Sequence, residues 1–122
     1  MEFTVNGKEY DLKFGLAFVR QLDEKFKVDY QGVEFGMGVN LANVGLTQLN
    51  PATLSDVIKA AATHSGKAPK QHDVDNALDD YADEHDGLEG LFEEVAAEMG
   101  KSSTIKASIK KFEEMAAVQE QD

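Results

Sequence analysis

The chain has 122 residues, of which 42% are apolar, and its 23 acidic against 12 basic side chains give a formal net charge of −11. This length and composition predict one globular domain over residues 1–122 and are not typical of a disordered or fibrous chain. The lack of cysteine excludes disulfides, thiolate metal sites and cysteine nucleophiles. We expect neither a signal peptide nor a membrane span, because the first residues alternate in polarity and the apolar runs are short.

Residues 1–14 predict a two-stranded β-hairpin with its turn at Asn6-Gly7. Asn-Gly is typical of a two-residue type I′ turn, since both central residues adopt positive φ there. Apolar side chains alternate with polar ones on both sides of the turn. The apolar positions are Phe3, Val5, Tyr10, Leu12 and Phe14. Pairing Phe3 with Tyr10 places all five on one face, which the rest of the chain must cover because a lone hairpin is marginally stable.

Residues 15–118 predict five or six packed helices, and residues 119–122 predict a frayed polar tail. The first helix begins near Leu16 and is expected to end between residues 28 and 30. A glycine-rich loop of about eight residues follows it. A buried, irregular helix is then expected from Val39 to Leu49, and its Gly45 weakens it unless another backbone packs closely there.

Four further amphipathic helices are expected after residue 49. The first begins at Asn50-Pro51, where the asparagine side chain can cap free amides and the proline needs no amide donor. Two acidic helices follow, with apolar stripes at residues 74–81 and 88–99. The last helix carries the stripe Ile105, Ile109, Phe112 and Ala116. The predicted fold is therefore α+β and predominantly helical, an N-terminal hairpin followed by packed helices.

The negative charge is concentrated in one segment of the chain. Between Asp73 and Glu98 there are eleven acidic residues and no lysine or arginine, whereas the rest of the chain has twelve of each sign. Such a segment repels nucleic acid and anionic lipid, so we expect neither as a partner. It either forms a solvated face that keeps the protein soluble, the reading that we prefer, or attracts a basic protein.

The histidines show no metal-binding pattern. His64 and His72 flank a short linker and lack the one-turn spacing with which two imidazoles on one helix bind a metal, so we expect them at the surface. His85, four residues after Tyr81, is expected to be a cation at a helix C-terminus. We predict no metal and no other cofactor.

The acidic residues offer weak candidates for catalysis. A carboxylate acid–base pair needs burial to separate its two pKa values, and the acidic helices are expected to expose this face. The three carboxylates considered are Asp79, Asp80 and Asp83. We therefore predict no catalytic residues and a protein that is not an enzyme.

The remaining hypothesis is binding through apolar surface. The stripe of the last helix is regular and close to the end of the sequence. It can serve as a groove or face for a partner helix, or it can close onto the core, and the sequence leaves both open. The candidate partner-binding residues are Ile105, Ile109 and Phe112.

Several motifs succeed one another along nearly the whole chain. In order they are Gln21-Leu22-Asp23-Glu24-Lys25-Phe26, Gly32-Val-Glu-Phe-Gly36-Met-Gly38-Val, Leu49-Asn50-Pro51-Ala52-Thr53-Leu54 and Leu91-Phe92-Glu93-Glu94-Val95. This succession resembles the tail assembly chaperones of long-tailed phages and prophages of Gram-positive bacteria.

The resemblance implies a non-enzymatic protein that acts in the cytoplasm of the bacterial host and is absent from the mature virion. Its implied partners are the tape-measure protein, which it binds and keeps soluble, and the tail-tube protein, which it helps to recruit, with self-association as a further option. The resemblance also implies a longer form made by translational frameshift, this chain being the short form. The alternative is an acidic adaptor or charge mimic that uses residues 73–98 to bind a basic partner.

Overall fold

The computed structural model describes the backbone of residues 1–120 and the side chains of all of these except residues 28, 30, 33–36, 65 and 116–120. Two antiparallel hairpins and six α-helices lie within these residues. Their bounds are β1 (Glu2–Val5), β2 (Lys8–Asp11), α1 (Leu16–Lys25), β3 (Lys27–Tyr30), β4 (Val33–Gly36), α2 (Gly38–Thr47), α3 (Pro51–Ala62), α4 (Gln71–His85), α5 (Glu89–Lys101) and α6 (Lys106–Glu120), with a short 3₁₀ turn at Thr63–Ser65 after α3. The predominantly helical α+β fold is confirmed.

The N-terminal hairpin has the predicted register. Phe3 is paired with Tyr10 and Val5 with Lys8, and Asn6 and Gly7 have φ angles of 52° and 75°. These positive values are what a two-residue type I′ turn requires. The inward face is buried as expected, except that Tyr10 is half-buried. The buried members are Phe3, Val5, Leu12 and Phe14.

The segment predicted as a glycine-rich loop is a second β-hairpin, so this part of the prediction is wrong. Helix α1 ends at Lys25, and β3 then pairs antiparallel with β4. The turn consists of Gln31 and Gly32, both with positive φ. Glutamine is an unusual residue at such a position, which explains why the turn signal was missed. Asp29 supports the turn, because its side-chain oxygen accepts the Gly32 N–H at 3.1 Å.

The N-terminal hairpin and all six helical segments contribute to one hydrophobic core. The apolar stripes predicted for α3, α4 and α5 face this core, with Leu54, Ile58, Val74 and Val95 at most 1% exposed. Helix α1 also buries one face against this core. Phe18 and Leu22 are buried, whereas Leu16 is 63% exposed because it lies at the first position of the helix, on the side away from the core.

Helix α2 carries two glycines two turns apart, hence on one face. A Cβ atom on Gly45 would lie 2.6 Å from Cγ2 of Thr53 in α3, and one on Gly38 would lie 2.6 Å from the backbone nitrogen of Asp23 in α1. The expected close neighbour of Gly45 therefore exists, although it is a side chain and not a backbone. Asp23 also accepts the Gly38 N–H at 2.9 Å, which caps the N-terminus of α2 with a negative charge.

Helices α2 and α3 meet at a corner built around Asn50. Its N–H donates to the carbonyl of Gly45 at 2.9 Å, which closes the end of α2, and its side-chain oxygen accepts the Ala52 N–H at 3.0 Å. Leu49 has a φ of 57°, the left-handed conformation that this type of helix end uses. Pro51 is the first residue of α3. The helix start predicted at Asn50-Pro51 is confirmed.

Helix α6 extends to Glu120, so it includes residues 119 and 120 of the predicted tail. Residues 121 and 122, the rest of that tail, lie outside the described residues. Ala116, the last member of the predicted stripe, lies outside the described side chains.

The close packing at Gly45 predicts that Gly45→Ala destabilises the protein. Thr53 is β-branched and has little rotamer freedom in a helix, so an added methyl group forces α2 and α3 apart at a cost of about 1–3 kcal/mol. The matched control is Gly100→Ala in α5, where a Cβ meets nothing within 4 Å. That change should stabilise by roughly 0.5–1 kcal/mol. Urea unfolding of both variants tests this, and a Gly45→Ala protein as stable as the parent would contradict the assigned packing.

Candidate interaction surfaces

The histidines lie where the sequence predicts them. His64 and His72 are exposed, and the Nε2 atom of His64 lies 2.8 Å from the carbonyl oxygen of Asp11. His85 is in the last turn of α4, with its ring stacked on that of Tyr81 at 3.8 Å and its Nδ1 atom 2.9 Å from the Tyr81 carbonyl oxygen. Within the part of the chain that the structure describes, no group of three or more His, Asp or Glu residues could hold a metal ion.

The three aspartates considered for acid–base chemistry are exposed on α4. Asp79, Asp80 and Asp83 all have solvent-accessible side chains, which confirms the expected exposure of this face. They therefore lack the burial that a carboxylate acid–base pair needs.

A polar cluster that was not predicted from the sequence lies between α3 and α4. Ser55 is 3% exposed, and its hydroxyl donates to Oδ1 of Asp75 and accepts from Nε2 of Gln71 at 2.7 Å. The carboxylate and the amide provide hydrogen-bond partners for this buried hydroxyl. The cluster therefore connects the two helices without leaving the hydroxyl unpaired in the core. The available signal was a serine in the middle of the apolar stripe of α3.

A groove of about 470 Å³ lies between β1 and α4. Glu2, Phe3 and Thr4 form the strand wall, and the helix wall includes Asp80 and Glu84, as well as Asn76, Ala77 and Tyr81. The rings of Phe3 and Tyr81 face each other with their centroids 6.3 Å apart. The groove therefore combines an aromatic pair with three carboxylate side chains.

Acidic side chains crowd the outer face of the N-terminal hairpin beside this groove. The pKa of Glu2 is raised above its ordinary value, chiefly by a hydrogen bond with the Glu9 carboxyl and by repulsion from its charge, with a smaller repulsion from Asp11. Glu2 lies directly opposite Asp11 in the hairpin. This corner of the molecule therefore favours a positive charge or a proton.

The candidate stripe at the last helix is divided between core and surface. Ile105 is 2% exposed and directly precedes α6, Ile109 and Phe112 are half-buried, and Met115 is 54% exposed. Helix α6 packs against α2 and α5. Nearby, the hydroxyl of Ser102 donates to the carbonyl oxygen of Phe14 at 2.5 Å, which ties the start of this segment to the hairpin. The core accounts for Ile105, whereas the binding role of Ile109 and Phe112 stays a prediction.

A comparison with protein families identifies the chain. The family model described as phage tail assembly chaperone protein, TAC, matches residues 2–114. The chain belongs to this family. The match covers both hairpins, helices α1 to α5 and the first part of α6, so it includes the groove beside β1 and the stripe of the last helix as far as Phe112. The resemblance stated from the sequence is confirmed.

No curated protein and no solved structure gives a significant match to this tail assembly chaperone. Among its described helices, none has the combination of length and apolar content needed to cross a membrane.

The position of Ile105 predicts that Ile105→Ala destabilises the chaperone by about 2–4 kcal/mol, since it leaves a cavity in the core. Phe112→Ala should cost less, about 1–2 kcal/mol, because part of that ring is already exposed. Urea unfolding measures both. Equal losses for the two variants would show that Phe112 belongs to the core as fully as Ile105.

The crowded carboxyl groups predict that Glu2→Gln stabilises the chaperone near neutral pH. Because the folded state raises the pKa of Glu2, it binds this proton more tightly than the unfolded state, and the ionised form lowers stability once the pH exceeds that pKa. We expect the melting temperature to rise by roughly 1–2 °C at about pH 7 and to be unchanged at about pH 3. Glu94→Gln, an exposed change of equal charge on α5, is the control and should have a smaller effect.

Proposed function

We propose that this tail assembly chaperone binds the tape-measure protein of its phage, keeps it soluble in the host cytoplasm and helps to recruit tail-tube subunits around it. In this proposal the chaperone leaves before the virion is complete and performs no catalysis. Membership of the family supports the general role. The observation that carries the specific proposal is the partly exposed apolar ridge on α6.

The ridge consists of Ile109, Phe112 and Met115, which recur every three residues along α6. The exposed fraction increases along it, from half-buried Ile109 to Met115 at 54%. An amphipathic helix of a partner can lie in the shallow groove beside such a ridge and cover the apolar atoms left in water. Covering the apolar surface that these side chains leave in water contributes about 25 cal/mol per Å². Because Ile109 and Phe112 are already half-buried, the gain suits weak, reversible binding.

Helix α2, which is in contact with α6, also leaves an apolar side chain in water, since Leu41 is 38% exposed. We propose that a partner helix covers both the α6 ridge and Leu41. Ile105 would act indirectly in this proposal, because its burial fixes the start of α6 and hence the position of the ridge.

The direct test is co-expression of the chaperone with the tape-measure protein encoded beside it. We expect the tape-measure protein to become soluble and to co-purify at high salt, because apolar contacts persist or strengthen as salt rises. An insoluble tape-measure protein beside a folded chaperone would contradict the proposal. Co-purification that is lost at high salt would favour the alternative, an acidic adaptor that uses its exposed α4 carboxylates.

Charged substitutions on α6 locate the interface. Phe112→Asp and Met115→Asp should each reduce the recovered complex about tenfold, since a carboxylate on the ridge must be desolvated for binding. Ala107→Asp adds the same charge on the opposite, exposed side of the helix and should leave recovery unchanged. Melting temperatures identify any variant that acts by unfolding. If folded Met115→Asp protein retains full binding, the ridge is not the interface.

A further inference from the structure

Strand β1 has one backbone edge that is not used by the hairpin. The Leu12 N–H donates to the carbonyl of Met1 at 2.8 Å, which makes residues 1 and 12 a hydrogen-bonded pair. Pairs in an antiparallel ladder alternate between bonded and non-bonded, so residues 3 and 5 also bond to β2. The backbone N–H and C=O groups of Glu2 and Thr4 therefore point away from β2. Across residues 1–120, no backbone partner for these groups is found.

The groove between β1 and α4 lies beside this free edge. Its walls come from β1, the Asn6-Gly7 turn and α4, and no residue of β2 lines it. A ligand in the groove would therefore meet the outward N–H and C=O groups of Glu2 and Thr4. Unpaired edge groups of this kind bind extended peptides as an added strand.

The charges of the groove favour a positively charged ligand. Glu2, Asp80 and Glu84 contribute three carboxylates, and among the described residues that line the groove none is basic. The raised pKa of Glu2 supports this selection, because a cation beside it would relieve the repulsion from Glu9 and Asp11. A second copy of the chain would bring its own Glu2, Asp80 and Glu84 to this edge, and like charges that face each other destabilise strand pairing.

We propose that the groove binds an extended segment of a partner protein, rich in lysine or arginine, which adds to β1 as a third strand. Alternate side chains of such a segment point to opposite faces, so one set reaches the Phe3–Tyr81 ring pair and the other reaches the carboxylates. The preferred ligand therefore alternates basic and apolar residues. This site is distinct from the α6 ridge, where the proposed ligand is a helix of the partner protein.

The probe is a blocked, dye-labelled eight-residue peptide of alternating lysine and valine, titrated against the full chain by fluorescence anisotropy. We expect saturable binding, with no binding of the matching glutamate–valine peptide. A lysine–valine peptide with a methyl group on every backbone nitrogen keeps its charge but has no N–H on either edge to donate to β1, and it should bind at least about tenfold more weakly. Equal binding of the N-methylated peptide would overturn the proposal, because charge alone would then explain the affinity. Absence of binding by the unmodified peptide would overturn it as well.

Variants of the protein test the two walls separately. Thr4→Pro removes the outward N–H and leaves the hydrogen bonds of the hairpin in place, because an edge strand tolerates proline at a position whose N–H is not bonded within the sheet. This change should weaken binding about tenfold, and Thr4→Ala is its control. The double change Asp80→Asn with Glu84→Gln should also weaken binding about tenfold, whereas Glu93→Gln with Glu94→Gln on α5 removes equal charge and should not. Circular dichroism identifies variants that fail to fold.

Hydrogen exchange gives a readout that needs no substitution. On peptide binding, the Thr4 amide should exchange more slowly, because it becomes bonded to the added strand. Saturable binding with unchanged exchange at Thr4 would overturn strand addition. None of these measurements uses the tape-measure protein, so their outcome is independent of the proposed function.

Discussion

The close approach of α1 and α3 to α2 is the constraint on which the rest of the fold depends. Only hydrogen atoms at Gly38 and Gly45 leave room for the backbone at Asp23 and for the side chain of Thr53. Interiors pack at crystal-like density, so one methyl group at these contacts is enough to move a helix. Because α5 and α6 also pack on α2, the position of the apolar ridge is set by these glycines, although they are far from it in sequence.

The two surfaces differ in the physical term that would provide their binding energy. The α6 ridge offers apolar area, whose removal from water is favourable and does not depend on the charge of the partner. The β1 groove offers backbone hydrogen bonds and carboxylates, whose attraction is directional and is screened by salt. Their combination on one small chain is compatible with the proposed binding of an apolar partner, because the exposed acidic residues of α4 and α5 repel other copies of the chain.

Local signals in the sequence were sufficient wherever one or two residues determine the backbone. Asn6-Gly7 predicted the first hairpin and its register, and Asn50-Pro51 predicted the start of α3. The second hairpin was missed because Gln31-Gly32 is an uncommon choice for positive φ. The spacing of apolar residues also could not show that Ile105 is buried, because an apolar stripe has the same spacing in a core and at an interface. The β1 groove depends on where α4 lies in three dimensions, which no local pattern specifies.

The corner at Asn50 has a consequence for how the chain can vary in length. The same residue closes α2 through its N–H and begins α3 through its side chain, so an inserted residue on either side would break one of the two bonds. The connection between α3 and α4 is different, because Gly66 and Lys67 are exposed there, and a residue inserted after Gly66 leaves the bond from its N–H to the Thr63 carbonyl at 3.3 Å in place. Lengthening that second connection adds only a small loop-closure entropy. Insertions, internal tags and natural length variation are therefore expected near residues 66–67 and not at the α2–α3 corner.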